Sequence, residues 1–184
     1  MHRPNWFLAL PLPPRARWQD AAVSAPPQLR RVAAEDLHLT LAFLGSCGEE
    51  RAAAAWQAVG SLQSVAISIQ AGGWCALGSA RQPSAYGLTL AEGNAQLCEL
   101  LQRWEPRARE AAGLAPSLRP PLPHVTLLRP GRRDAPLVIE PMRVWMARTP
   151  LPPGRALLQE LALWTWDPDR RQRLFRIRER RPLA

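Results

Sequence analysis

Residues 37–44 read LHLTLAFL, and residues 124–128 read HVTLL. In the first run Leu37, Leu39, Leu41 and Phe43 alternate with His38, Thr40 and Ala42. A period of two marks a strand with one buried face. Residues i and i+2 of a strand point to the same face. His38 and Thr40 therefore face together, and so do His124 and Thr126, while Leu39, Leu41, Val125 and Leu127 face the core. The same parity assigns Phe43 to the core. The whole chain holds only three His in 184 residues. Two of them open a His-x-Thr-Leu tetrad, and His2, the third, is assigned no role.

The surroundings of the two tetrads are also alike. Residues 5–10 (NWFLAL) read as a buried strand, broken by PLPP. Arg15–Val23 reads as a short helix, before the strand that carries His38. Ala85–Ala91 (AYGLTLA) reads as a second opening strand. Asn94–Ala112 then carries Leu97, Leu100, Leu101 and Trp104 at helical spacing. Asn94 is its candidate N-cap and Gly113 its stop. A proline-rich stretch leads to His124. Each half thus reads strand, helix, loop and a strand bearing His-x-Thr-Leu. Between them lie an Ala-rich helix over Glu49–Leu62 and a strand over Val65–Gln70. In the tail, Met142–Ala147, Glu160–Trp166 and Gln172–Arg178 have strand character, and Leu161 and Leu163 suit a helix from Arg155 equally well. Asp167–Arg171 reads as a hairpin turn.

Two such strands side by side bring two imidazoles and two hydroxyls to one small volume. Hydroxyls can donate to the non-bridging oxygens of a phosphate, and His is the side chain suited to acid–base work near neutral pH. A zinc site would need a third ligand, and nothing is spaced like HExxH.

Composition narrows the partner. The formal net charge is +9, and all 24 basic residues are Arg. Arg offers a planar fork that fits phosphate oxygens in pairs, so a polyanion is the natural partner. The arginines of residues 170–181 could track nucleic-acid phosphates or simply guard a strand edge. Cys47, Cys75 and Cys98 are odd in number and widely spaced, which argues against a disulfide framework and suits a reducing cytoplasm. No apolar run approaches the roughly 20 residues of a membrane span. The N-terminal apolar run is broken by Pro11 and does not read as a signal peptide.

On WFLALPLPP, AAEDLHLTLAFLG (33–45) and LRPPLPHVTLLRP (118–130) the chain resembles the 2H phosphoesterase superfamily. Within it, the resemblance is to the bacterial RNA 2′,3′-cyclic phosphodiesterases, also called 2′-5′ RNA ligases. It implies an α+β, bilobal fold in which two pseudo-symmetric antiparallel sheets line a central cleft, with helices outside. Residues 1–184 would form one two-lobed catalytic domain, each lobe carrying one motif strand, at 38–41 and 124–127. His38 would be the proton donor and His124 the proton acceptor. Thr40 and Thr126 would bind the phosphate, and Arg129 stands where the family often has an Arg near it.

The resemblance implies metal-independent hydrolysis of RNA 2′,3′-cyclic phosphate ends, tRNA fragments among them, to 2′-phosphomonoesters, with reversible 2′-5′ ligation. No cofactor, membrane or obligate protein partner is expected. Two alternatives stay open: an esterase for a small cyclic phosphate, and a non-catalytic binder of RNA ends.

Overall fold

The computed structural model describes residues 3–62, 64–131, 133–171 and 173–183, so His2 lies outside the described residues. In chain order it contains β1 (Trp6–Pro11), β2 (Leu29–Arg31), β3 (His38–Gly45), α1 (Glu49–Ala58), β4 (Ile67–Ser79) and β5 (Gln82–Glu92). These are followed by α2 (Asn94–Ala111), β6 (His124–Pro130), α3 (Ile139–Arg148), β7 (Arg155–Leu158), β8 (Glu160–Trp166) and β9 (Phe175–Pro182).

All the strands belong to one antiparallel sheet of order β7-β4-β5-β6-β3-β1-β8-β9, with β2 lying beside β6. The expected two sheets are its two halves. They meet where the motif strands β3 and β6 pair, through Leu39 and Val125. The fold is α+β, with β1–β3 and β5–β6 as the duplicated strand pairs.

What joins those pairs differs. Between β5 and β6 runs the expected long helix, α2, with Leu97, Leu100, Leu101, Trp104 and Ala108 buried. Its N-cap is Gly93 rather than Asn94. At φ 80° a side chain on Gly93 would also meet the Ser68 carbonyl oxygen at 2.5 Å, so a close approach replaces side-chain capping. At the other end Gly113 N–H donates to the Glu110 carbonyl (2.7 Å) and Leu114 N–H to the Arg109 carbonyl (2.8 Å). With Gly113 left-handed at φ 63°, this is a Schellman stop.

Between β1 and β3 the helix expected over Arg15–Val23 is two 3-10 turns, Pro14–Ala16 and Trp18–Ala22. So short a segment between prolines cannot repay helix nucleation. The tail holds the larger correction. Residues 142–147, read as a strand, belong to α3. Val138 and Met142, one turn apart, are buried, and the Trp145 ring packs edge-on against Trp74 at 4.7 Å. Those contacts override the strand propensity of Val144 and Trp145. The region from Arg155 is strand, not helix. Strand β5 pairs with β4, which is far longer than its sequence pattern suggested.

The apolar faces of the strands share one core with α1 and α2, and these two helices pack on each other. Among the described residues no helix is long and apolar enough to cross a membrane.

Candidate active site

His38 and His124 stand at the first positions of β3 and β6. Each is held in the same way. The His38 Nδ1 donates to the Asp36 carbonyl at 2.6 Å, and the His124 Nδ1 to the Leu122 carbonyl at 2.7 Å. A carbonyl can only accept, so both rings carry their proton on Nδ1 and leave Nε2 for chemistry. Leu39 lies opposite Val125 in an antiparallel register. Carried one residue either way, that register sets His38 level with Thr126 and His124 level with Thr40. Each histidine thus stands level with the threonine of the other motif.

A matching irregularity falls on the last residue of each tetrad. Ala9 pairs with Thr40 but Leu8 with Ala42, so Leu41 is an extra residue in β3. Gly87 pairs with Thr126 but Tyr86 with Leu128, so Leu127 is extra in β6. A β-bulge of one residue reverses the alternation beyond it. Leu41 and Ala42 are consequently both buried, as are Leu127 and Leu128. Phe43 and Arg129 are turned onto the histidine face. The expectation that Phe43 belongs to the core therefore fails; it is 51% exposed. The Leu127 carbonyl freed by the bulge accepts from Val32 N–H at 2.9 Å, beside β2.

A cavity of about 220 Å³ has His38, Thr40, Phe43 and Arg129 on its wall, together with Arg170 from the β8–β9 turn. Phe7, Trp166 and Phe175 supply its apolar side. His124 and Thr126 stand across the β3–β6 seam and do not line that cavity. A larger cavity of about 640 Å³ lies between the turn after β1 and strand β9 and contains neither motif. Its Arg173 and Arg180 are ion-paired with Asp36 and Glu160.

The His38 ring is enclosed by aromatics. Phe7 stacks on it at 4.8 Å, with Trp164 at 5.3 Å and Phe175 edge-on at 5.6 Å. Loss of hydration pushes its pKa down to about 4; Arg129 and His124 push the same way, and the Asp36 carbonyl opposes them. Burial lowers His124 as well, again with Arg129 adding to it. Arg129 is itself held below its ordinary value by burial and then by Arg170. With the cleft free of ligand both imidazoles are neutral at pH 7, inside a strongly positive potential. An anion bound here would oppose both shifts through its charge, favouring the charged form of the imidazoles.

Two residues that the sequence did not single out complete the arrangement. Asp36 is buried, and its carboxylate accepts from Leu174 N–H at 2.6 Å and from Arg173 at 3.4 Å. Burial raises its pKa against those partners. Trp164 backs the His38 ring from β8. The acid two residues before the His was a readable signal for Asp36; Trp164 had none.

Residues 13–85, which include the first motif but not the second, match the family model described as LigT like Phosphoesterase. The fold is similar to E. coli LigT complexed with 3′-AMP, with 28% identity, 98% of each chain covered and a TM-score of 0.73. Residues 13–85 are thus similar to a LigT-like phosphoesterase domain, and the fold of the whole chain is similar to LigT. A crystal structure described only as a phosphoesterase is similar at 28% identity, over 100% of this chain and 99% of that one, with a TM-score of 0.68. A Thermus thermophilus protein shares the fold at 24% identity, over 97% of both chains, with a TM-score of 0.66. A search of proteins of curated function gave no significant match.

Proposed function

We propose that the chain hydrolyses RNA 2′,3′-cyclic phosphate ends to 2′-phosphomonoesters. The observation that carries this reading is the matched anchoring of His38 and His124. Each is fixed through Nδ1 and stands level with the other motif's Thr across the β3–β6 seam. E. coli LigT has been crystallised with 3′-AMP and with phosphate, ligands whose chemistry suits this positive cavity.

The cyclic phosphate sits between the two motifs. Thr40 and Thr126 donate to its non-bridging oxygens, and Arg129 balances their charge. His124, neutral, takes a proton from water through Nε2. The water oxygen bonds to phosphorus as the P–O3′ bond breaks, and His38, protonated, donates to the departing O3′. The 2′ ester bond survives. His38 is left neutral and His124 charged, and exchange with solvent restores both. The depressed pKa of His38 suits a donor charged only when the anion is present: the phosphodiester restores the proton that burial removed. With a 5′-hydroxyl in place of water, the same forward steps form a 2′-5′ linkage, and their reversal cleaves it.

The test is phosphorus NMR of a short RNA bearing a 2′,3′-cyclic phosphate, incubated with the protein in EDTA. A single 2′-phosphomonoester product is expected. A 3′-phosphomonoester, or no turnover, would overturn the proposal.

A further inference from the structure

Arg30 and Arg129 are direct cross-strand partners in β2 and β6. Opposite residues of an antiparallel pair share a face, and like charges placed so repel. Arg170, on the turn after β8, reaches the same cavity as Arg129. Arg30 donates from its guanidinium to the Arg170 and Arg171 carbonyls, fastening that turn with a third cation. Arg30 and Arg171 also line an adjoining groove of about 480 Å³.

Four arginines thus follow one another outward from the histidines, and among the described residues none has an acidic partner. Elsewhere the same chain does neutralise arginine. Arg173, Arg178 and Arg180 are ion-paired with Asp36, Glu49 and Glu160, whereas Arg170 has only the Trp166 ring beneath it at 4.2 Å, which leaves its charge unpaired. The Nε atoms of Arg129 and Arg170 are buried with no hydrogen-bond partner among the described residues. Buried donors are normally satisfied, so a row of arginines without ion-pair partners, two of them with spare donors, is built for an anion from outside. A single cyclic phosphate, bound at the motifs, does not reach Arg30 and Arg171.

We infer that Arg170, Arg30 and Arg171 form a track, leading away from Arg129, that binds the backbone phosphates of RNA on the 5′ side of the cyclic end. The inference rests on the proposed hydrolysis and adds to it. The preferred substrate is an oligonucleotide, not a cyclic mononucleotide, because only a chain carries phosphates past the terminal one.

The experiment compares two product ligands on the full chain, a 2′-phosphate-ended RNA trinucleotide and a nucleoside 2′-phosphate, by calorimetry over a range of salt. Products bind without turnover. The trinucleotide is expected to bind ~10-fold tighter or more at low salt, from two further phosphate contacts each worth about 3- to 5-fold. Its affinity should also fall more steeply with salt, by a log–log slope of roughly 0.7 per added phosphate. Arg171→Gln and Arg30→Gln should each weaken the trinucleotide about 3- to 5-fold and leave the mononucleotide unchanged. Arg30 also fastens the turn, so the exposed Arg171 is the cleaner probe.

Equal affinities with equal salt slopes would overturn the track, and so would variants that weaken both ligands alike. Preferential trinucleotide binding without any opening of cyclic phosphate would leave the track standing and remove the hydrolytic reading. Equal binding with normal hydrolysis would do the reverse.

Discussion

Asp36 and Leu174 are joined by a 2.6 Å hydrogen bond from the Leu174 amide to the buried carboxylate, across 138 residues of chain. The same Asp36 offers its backbone carbonyl to the His38 Nδ1. Its side chain therefore fixes to the segment before β9 the peptide that orients the proposed acid. Asp36→Ala should leave the Leu174 donor unpaired and let the His38 ring turn. The expected cost is about 1–3 kcal/mol of stability, from one orphaned buried donor. Activity should fall in kcat with KM little changed, and Asp36→Asn, which still accepts from Leu174, should recover most of it. Denaturant melts and steady-state kinetics on the two variants check this. An Asp36→Ala protein with normal kcat would show that the link does not position His38.

Gly87 brings β5 against the second motif. A Cβ at Gly87 would fall 2.3 Å from the Val125 carbonyl oxygen and 3.1 Å from the Thr126 Cα. Gly87→Ala must therefore push β6 away, at a cost of about 1–3 kcal/mol for overpacking. Because the shift moves His124 and Thr126, kcat/KM should drop by ~10²-fold, the usual penalty for a displacement near 1 Å. Folded protein with wild-type kcat/KM would show that the approach of β5 does not set the motif.

Phe43 offers an exposed ring at the mouth of the cavity. Stacking a base on an aromatic ring contributes about 1–3 kcal/mol. Phe43→Ala should raise KM for cyclic-ended RNA by ~5- to 150-fold on that range, while kcat and thermal stability hold. Phe43→Trp should preserve KM. A loss of stability without a change in KM would return Phe43 to a packing role.

The pH dependence follows from the depressed imidazoles. Both His38 and His124 lie below the ordinary His value in the free protein, chiefly through burial. The kcat/KM profile, which reports the free enzyme, should be a bell displaced to the acid side, with apparent values belonging to the pair. In the kcat profile the bound phosphate favours the charged ring, so both limbs should move to higher pH. Stability follows the same sign. The unfolded His38 binds its proton near the ordinary value of 6.5, the folded one near 4. Between these values the unfolded state holds more protons, so stability should decline as pH falls from about 6.5 toward 4. His38→Gln should flatten that decline. A kcat/KM bell centred above pH 7 would contradict the burial account.

The two tetrads and their shared face were legible because alternation is local: His38, Thr40, His124 and Thr126 need only two residues of context each. The long helix after Asn94 was legible for the same reason. Phe43 was misread because a bulge is set by the partner strand. Nothing in LHLTLAFL announces that Leu41 will be skipped by β1. The reversal it causes also decides Arg129, whose side chain could otherwise have stood at the surface. Helix α3 was misread because Val144 and Trp145 favour strands in isolation, and the decisive contacts, Met142 in the core and Trp145 on Trp74, come from across the fold. Trp164 entered the site by long-range pairing that no window of sequence contains, whereas Asp36 stands two residues before His38 and only its bond to Leu174 was hidden. The arginines of residues 170–181 were ambiguous as a run. The structure divides them, with Arg170 reaching the cavity and Arg173, Arg178 and Arg180 held in ion pairs.

The central claim is that His38 and His124 act as one acid–base unit on a cyclic phosphate. The most direct measurement is kcat for a 2′,3′-cyclic-ended RNA in EDTA, with wild type, His38→Ala, His124→Ala and the double variant. Each single change should cost about 10²–10⁴-fold. The double should cost little more than the worse single, because groups acting in one step are strongly non-additive. Either single variant retaining wild-type kcat, or two losses that simply multiply, would contradict the account.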